Sequence, residues 1–387
     1  MTFILISIFL LIPYVWLILY YRRGWMEIPN FKIAPQLKEN ELPFISIIIA
    51  ARNEEMNIGA CIQSILHQTY PQNKFEIIVT DDHSTDNTVS IVESFKKENI
   101  TLLHLSDFIQ NQELNSYKKK SIDTALKFAK GELIVTTDAD CIVPGKWIET
   151  LSSFYKHKSP VFVALPVMFN DPLATDPFFK KLFKIFQSLD FMTLQGITGA
   201  SVFKKVHAMC NGANLAYQKD VFFEVGGFEG IDQVASGDDM LLMHKIQVRY
   251  PNEIMFLKSK DVIVTTQSAE TLKDFMNQRI RWASKADHYT DKKITAVLLL
   301  VYLLNAWLFT LGLFSFFNLN AFYLFAGLIL IKTLVELFFL FPVARFFGKQ
   351  QQLWWFLPAQ PFHILYTLIA GWLGKFGSYQ WKGRTVK

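Results

Sequence analysis

The stretch Glu132-Leu133-Ile134-Val135-Thr136-Thr137-Asp138-Ala139-Asp140-Cys141 decides how the chain is read. A short apolar, β-branched run, preceded by the turn residue Gly131, ends abruptly in two aspartates one residue apart. Its length and composition are those of a buried strand. In open α/β sheets ligands bind just beyond the carboxyl ends of such strands, which is where Asp138 and Asp140 fall. Two carboxylates so close repel each other and need a cation, an arginine or water as compensation. A hard divalent ion, Mg2+ or Mn2+, shared with substrate phosphates suits the pair. A solvated loop or helix cap is the bland reading of an isolated Asp-x-Asp, so the rest of the chain has to decide.

Composition narrows the choice. Of 387 residues, 51% are hydrophobic and 36 are Phe, and the mean hydropathy of +0.21 is too high for an ordinary soluble protein. The excess gathers at the two ends, leaving a normally charged middle long enough for one large α/β domain. A net charge of +5 with lysines scattered among acids gives no basic stripe, so nucleic acid is not an expected partner. Basic residues beside apolar segments fit an anionic membrane surface better. Cys61, Cys141 and Cys210 lack any CxxC spacing and read as reduced, small core residues.

Residues 1–21 form an apolar run long enough to span a bilayer. No basic region precedes it and no small-residue cleavage site follows it, which argues against a signal peptide. Arg22 and Arg23 come next, so the positive-inside rule places the following domain in the cytoplasm. A polar connector (22–42) leads to a domain expected over 43–292, then membrane helices over 293–375 and a basic tail over 376–387.

Within the domain, strands expected at Phe44–Ala51, Phe75–Thr80, Thr101–Leu105 and into Asp138 alternate with helical patterns. That order implies a doubly wound, mostly parallel sheet with right-handed crossovers. Glu54 and Glu55, Asp81 and Asp82, and Asp138 and Asp140 close three different segments, and a parallel sheet would bring those ends to one edge. Such a cleft wants cations, ribose hydroxyls and base N–H donors, with Lys119 and Lys120 as counter-charge for a phosphate. No GxGxxG follows the first strand, which disfavours a dinucleotide-binding dehydrogenase. Thr175–Gln195 is an aromatic helix with interleaved lysines, read either as a membrane-interface helix or as a core helix. Ser236-Gly237-Asp238-Asp239 supplies a second carboxylate pair, and Gln278, Arg281 and Trp282 fall on one face of a later helix. Three apolar segments close the chain, near 294–317, 319–343 and 353–373. Lys332 and Glu336, four residues apart, read as a structural pair. Pro358 and Pro361 leave the last segment as a kinked span or a re-entrant hairpin. Few spans with one charged pair make a transport path an unattractive alternative.

Taken in order, Ala51-Arg52-Asn53-Glu54, Asp81-Asp82-His83-Ser84-Thr85-Asp86, Lys119-Lys120, Asp138-Ala139-Asp140, Asn211-Gly212-Ala213-Asn214, Gly237-Asp238-Asp239 and Gln278-Arg279-Ile280-Arg281-Trp282 ahead of membrane spans resemble the membrane-bound members of glycosyltransferase family 2. The resemblance covers nearly the whole chain. It implies the GT-A fold with one N-terminal and two to three C-terminal transmembrane helices, and an enzyme at the inner or plasma membrane with its catalytic domain cytoplasmic. It further implies that Asn53, Glu54, Asp81, Asp82, Lys120 and Asp138 contact a nucleotide-sugar donor, a UDP-sugar above all. Asp140 and Asp138 would hold Mg2+ or Mn2+, Asp239 with Asp238 would supply the general base, and Gln278, Arg281 and Trp282 would close over the diphosphate and acceptor. This chain has Asp238 where the family commonly has Glu, and His83 where glycine is frequent. The acceptor implied is lipid-linked or a glycan, with processive polysaccharide synthesis as the alternative to single transfer.

Overall fold

Strand β1 (Ile45–Ala51) is buried along almost its whole length, the pattern of a parallel strand covered on both faces. In the computed structural model, which describes residues 2–33, 38–95, 99–109, 114–285, 291–377, 379–381 and 384–386, β1 lies inside a seven-stranded sheet. Its other members are β2 (Phe75–Asp81), β3 (Ile100–His104), β4 (Leu133–Asp138), β5 (Phe162–Ala164), β7 (Leu215–Gln218) and β8 (Ile254–Phe256). Short strands β6 (Val167–Phe169) and β9 (Val264–Thr266) form a separate ladder. The sheet order is β3-β2-β1-β4-β7-β5-β8, with β3 to β4 parallel and β7 antiparallel to both its neighbours. The helices between these strands are α2 (Ile58–Leu66), α3 (Thr88–Ser94), α4 (Tyr117–Phe128), α5 (Trp147–Lys158), α7 (Lys219–Glu224) and α8 (Met240–Arg249). A mixed, mostly parallel α/β sheet of the GT-A kind is the result.

The remaining helices are α1 (Thr2–Glu27), α6 (Phe178–Lys204), α9 (Leu272–Ser284), α10 (Lys292–Phe314), α11 (Leu319–Phe347) and α12 (Phe356–Phe376). The chain divides into two compact units, a sheet unit (Pro29–Met168 and Ala208–Gln267) and a helical unit (Met1–Ile28, Phe169–His207 and Ser268–Lys387). The division differs from a single domain over 43–292, because α6 and α9 group with the apolar helices. The cause is side-chain chemistry on one face of α6. Gln187 exchanges two 2.9 Å hydrogen bonds with the backbone of Ala269, and Asp190 pairs with Arg279 at 2.7 Å. Phe183 meets Phe275 edge to face and Phe186 meets it at a tilt. The second half of α6, from Gln187 to Val202, is mostly buried, so over that length it is a core helix of the helical unit.

Helices α1, α10 and α11 are long and apolar enough to cross a membrane. Helix α12 is not among them, although the sequence leaves it as a possible span. Gln360, His363, Gly371, Gly374 and Lys375 dilute its apolar character. Pro361 sits inside the helix, where the missing N–H removes one backbone bond. Lys332 and Glu336 pair at 2.8 Å, and Gln360 joins them, accepting from Lys332 at 2.7 Å and donating to Glu336 at 2.6 Å. The Tyr14 hydroxyl donates to the same carboxylate, so the pair is a satisfied, buried junction of three helices. Of the basic tail, Lys382 and Lys387 lie outside the described residues.

Candidate active site

The register of the parallel strands assembles the site. Ala51 lies opposite Asp81, and Ala50 opposite Asp138, so these two carboxylates flank the end of β1 on its two neighbours. With strands about 4.8 Å apart, their backbones stand roughly 10 Å from each other across that end. The loop after β1 is stitched to the loop after β2. Asn53 adopts φ +51°, and its Oδ1 accepts from Thr85 N at 2.8 Å while its own N–H donates to Ser84 Oγ at 3.0 Å. The amide of Glu54 donates to Thr88 Oγ1 at 2.8 Å, and the Glu54 carboxylate accepts from Asn57 at 3.0 Å. Asp82 is buried, with His83 Nδ1 at 3.0 Å and Arg52 at 3.6 Å. His83 itself has φ +55°, the left-handed conformation that explains a preference for glycine at such a position.

The second half of the site comes from the antiparallel return of β7. Thr136 and Thr137 at the end of β4 donate to the carbonyls of Gly212 and Ala213, which draws the Asn211–Asn214 turn beside Asp138. Asn214 is fully buried. It donates to the carbonyls of Pro166 and Val262, both at 2.8 Å, and accepts from the Trp147 indole at 3.0 Å, a structural staple and not a ligand group. Gly212 N donates to Asp239 Oδ2 at 3.1 Å, while Asp239 Oδ1 accepts from Met240 N at 2.7 Å as the cap of α8. A Cβ on Gly212 would lie 3.1 Å from Asp238 Oδ2 and 3.3 Å from Lys118 Nζ, so a side chain there would displace one of these charged tips by a few tenths of an ångström. Gly237 has φ +84°, which turns the chain so that both following aspartates reach this end of the sheet.

Lys118 ties the two halves together. Its ammonium lies 2.7 Å from Asp138 and 3.1 Å from Asp238. Burial works against its charge, but the carboxylates of Asp138, Asp238 and Asp239 more than offset this and hold it protonated well above the ordinary lysine range. Lys119 is buried and donates to the carbonyls of Ile231, Val234 and Ser236 at 2.8, 2.6 and 2.9 Å. Lys120 turns to Asp123 at 3.9 Å. Three adjacent lysines on a helix point about 100° apart, so only one of them can face the carboxylates, and here it is Lys118. Sequence reasoning named the cluster but placed Lys120 at the donor. The rotation of α4 is fixed by where the helix starts, at Tyr117.

Asp140 accepts from Thr266 at 3.1 Å. Among the described residues no three or more His, Cys, Asp or Glu are gathered as a metal-holding group. The residues fit an ion shared with a ligand and not a cage of protein alone, since Mg2+ and Mn2+ take one or two carboxylates and complete their shell with phosphate oxygens and water. Cys61 and Cys141 are buried free thiols. Burial, with Asp138 and Asp140 nearby, raises both thiols far above the range in which they ionise. Gln278, Arg281 and Trp282 lie on α9 in the helical unit, half-buried, with Arg279 and Ile280 between them buried.

Residues 46–224 match the family model described as glycosyl transferase family 2. The match covers a little under half of the chain, which over that stretch is similar to glycosyltransferase family 2. The matched stretch takes in the strands β1 to β7 and ends before Asp238 and Asp239. The glycosyltransferase AglE of Haloferax volcanii is 33% identical over 110 residues, 28% of this chain and 34% of that protein. A probable glycosyltransferase, YdaM of Bacillus subtilis, is 26% identical over 306 residues, 74% of this chain and 67% of that one. A beta-monoglucosyldiacylglycerol synthase of Nostoc is 30% identical over 124 residues, 32% of this chain and 24% of the synthase. Two of these three matches thus span about a third of the relative or less. Among solved structures, a mannosyltransferase from Pyrobaculum calidifontis in complex with GDP-Man and Mn2+ superposes with a TM-score of 0.59 over 96% of this chain and 98% of that one, at 20% identity. At that identity the likeness is one of fold.

Proposed function

We propose that this chain is a metal-dependent, inverting glycosyltransferase that passes a sugar from a nucleoside-diphosphate donor to a lipid-linked or other membrane acceptor at the cytoplasmic face. The observation that carries the reading is the convergence of Asp138, Asp238 and Asp239 on Lys118 at the carboxyl end of the sheet. Three carboxylates and one ammonium at a strand edge form a site for a phosphate-bound cation and for proton transfer. Asn53, Glu54, Asp81 and Asp82 line the neighbouring strand ends and are assigned to the nucleoside. Asp138 and Asp140 are assigned to Mg2+ or Mn2+, which when bound stabilises the charge on the departing diphosphate. Gln278, Arg281 and Trp282 are assigned to the diphosphate and acceptor on the strength of the sequence resemblance.

The base is assigned to Asp239. Each of its oxygens accepts one backbone N–H, which fixes the plane of the carboxylate at this end of the sheet. The acceptor oxygen attacks the anomeric carbon as its proton passes to Asp239, the bond to the diphosphate oxygen breaks with its electron pair, and the centre inverts. Asp238, paired with Lys118, is held as a counter-ion.

Donor hydrolysis by purified protein, over a panel of UDP- and GDP-sugars with and without Mn2+ or Mg2+, tests the assignment. Metal-dependent release of nucleoside diphosphate from one donor is expected. Asp239→Asn should lower turnover by about 10²–10⁴-fold with donor binding retained. Full activity in that variant removes Asp239 as the base, and loss in Asp238→Asn alone would transfer the role.

A further inference from the structure

We propose that the chain reversal at Gly348–Trp355 and the first turns of α6 form an aromatic shelf seated in the lipid headgroup layer, at the membrane face where α1 and α11 end. The proposal rests on the reading of α1, α10 and α11 as membrane spans. Phe178, Phe179, Trp354 and Phe362 are 60, 83, 87 and 67% exposed. The Phe178 and Trp355 rings meet edge to face at 6.3 Å, and Phe186 meets Phe362 at 6.4 Å, so these side chains belong to one surface. Contiguous exposed aromatics on this scale mark an interaction face.

The position of the shelf follows from the packing around it. Trp25 and Phe346 meet edge to face at 5.4 Å, and the Arg22 guanidinium lies 3.7 Å over Phe338, so the carboxyl ends of α1 and α11 lie together. Helix α11 has 29 residues, about 43 Å of helix, which exceeds a hydrocarbon core of about 30 Å. From its end the chain doubles back, because Gln360 reaches Lys332 and Glu336, three to four turns before Phe347. Trp354 is six residues from Gln360, within about 12 Å along helical backbone. It is therefore held at the boundary of the apolar layer and not beyond the tip of α11. Tryptophan is enriched at that depth because its ring is apolar and its N–H is polar.

Charge does not supply the attraction. Lys180 and Lys184 are matched by Asp176 and Glu270, with contacts of 2.5 Å from Lys180 to Glu270 and 3.0 Å from Lys184 to Asp176. The Lys181 ammonium donates to the carbonyl of Ala174 at 2.7 Å. The occupant is thus the headgroup and upper acyl layer of the bilayer the spans cross, recognised by its apolar-to-polar gradient and not by anionic lipid.

The test uses the full chain in vesicles of phosphatidylcholine, with a nitroxide at Phe179→Cys or Trp354→Cys in a Cys210→Ser background and a third label at Phe309→Cys on α10. Collisions with oxygen and with a water-soluble nickel chelate are compared by spin resonance. The oxygen-to-nickel collision ratio at both shelf positions should fall between that at 309 and that of a label in water, unchanged when a third of the lipid is phosphatidylglycerol. A ratio at 179 and 354 equal to that of a label in water, with oxygen dominant at 309, overturns the shelf alone. Nickel dominance at all three overturns the membrane reading beneath it. Spin–spin broadening at 179 or 354 that vanishes on dilution with unlabelled protein would assign the face to a second copy and also overturn the proposal.

Discussion

At the scale of single residues, Lys118 controls the electrostatics of the site. Its ammonium lies between Asp138 and Asp238, where it would compete with a divalent ion, if one binds as proposed, for the same carboxylate oxygens. Lys118→Met should therefore tighten Mn2+ binding in the absence of donor by about tenfold, equivalent to ~1.4 kcal/mol, while turnover falls. Calorimetry with Mn2+ alone checks it, and unchanged or weaker metal binding would count against Asp138 as a ligand. The pH dependence has a defined sign. The folded pKa of Lys118 is raised, so its contribution to stability is fully present below the ordinary lysine value near 10.4 and is lost only above it. The stability difference between Lys118→Met and the parent should thus be the same at about pH 6 and pH 9. Which of three consecutive lysines takes this position was not legible in the sequence, because a 100° step separates them and the helix phase depends on tertiary contacts.

At the scale of elements, two buried side chains hold functional segments in place. Lys119 satisfies three carbonyls of the 231–236 loop that delivers Asp238 and Asp239. Lys119→Met leaves those acceptors unpaired and should cost about 2–5 kcal/mol, seen as a lower unfolding temperature together with reduced turnover. A variant with parental stability would show that water replaces the ammonium. In the helical unit, Asp190 receives Arg279 at 2.7 Å and the hydroxyl of Tyr366. Arg279 is buried, with Phe275 and Trp282 on its faces at 4.6 and 4.2 Å. Asp190→Ala strands that guanidinium and should cost about 3–5 kcal/mol, with part regained in Asp190→Ala/Arg279→Met. Additive losses in the double variant would argue that the two do not act as a pair. The helical phase of Gln278, Arg281 and Trp282 was readable from a spacing of three and four residues. The anchoring by Asp190 was not, because it joins residues 89 positions apart (279 − 190) and no local pattern marks such a contact.

At the scale of the whole molecule, three apolar helices and the Arg22-Arg23 pair set a testable topology. If α1 runs from outside to inside and α10 and α11 form a hairpin, the turn at Phe316–Asn318 faces outward. A cysteine at Asn318 should react with an impermeant maleimide in intact cells, and one at Lys260 only after permeabilisation. The opposite pattern would place the sheet unit outside and end the cytoplasmic assignment. The structure also redraws the organisation expected from sequence. Composition divides the chain into ends and middle, whereas α6 and α9 leave the middle to join the ends.

The alternation of apolar runs with helical patterns was enough to specify strands β1 to β4, their parallel order and the gathering of Asp81 and Asp138 at one edge. These depend on local periodicity and on the handedness of short crossovers, which each segment carries in itself. The long apolar helices were legible for the same reason. The tertiary structure alone decided what depends on orientation and distant contact: the antiparallel insertion of β7, the choice of Lys118, the capping role of Asp239 and the placement of α12 beside α9. A side chain's partner across the fold is set by register and helix rotation, which packing fixes only once the elements meet.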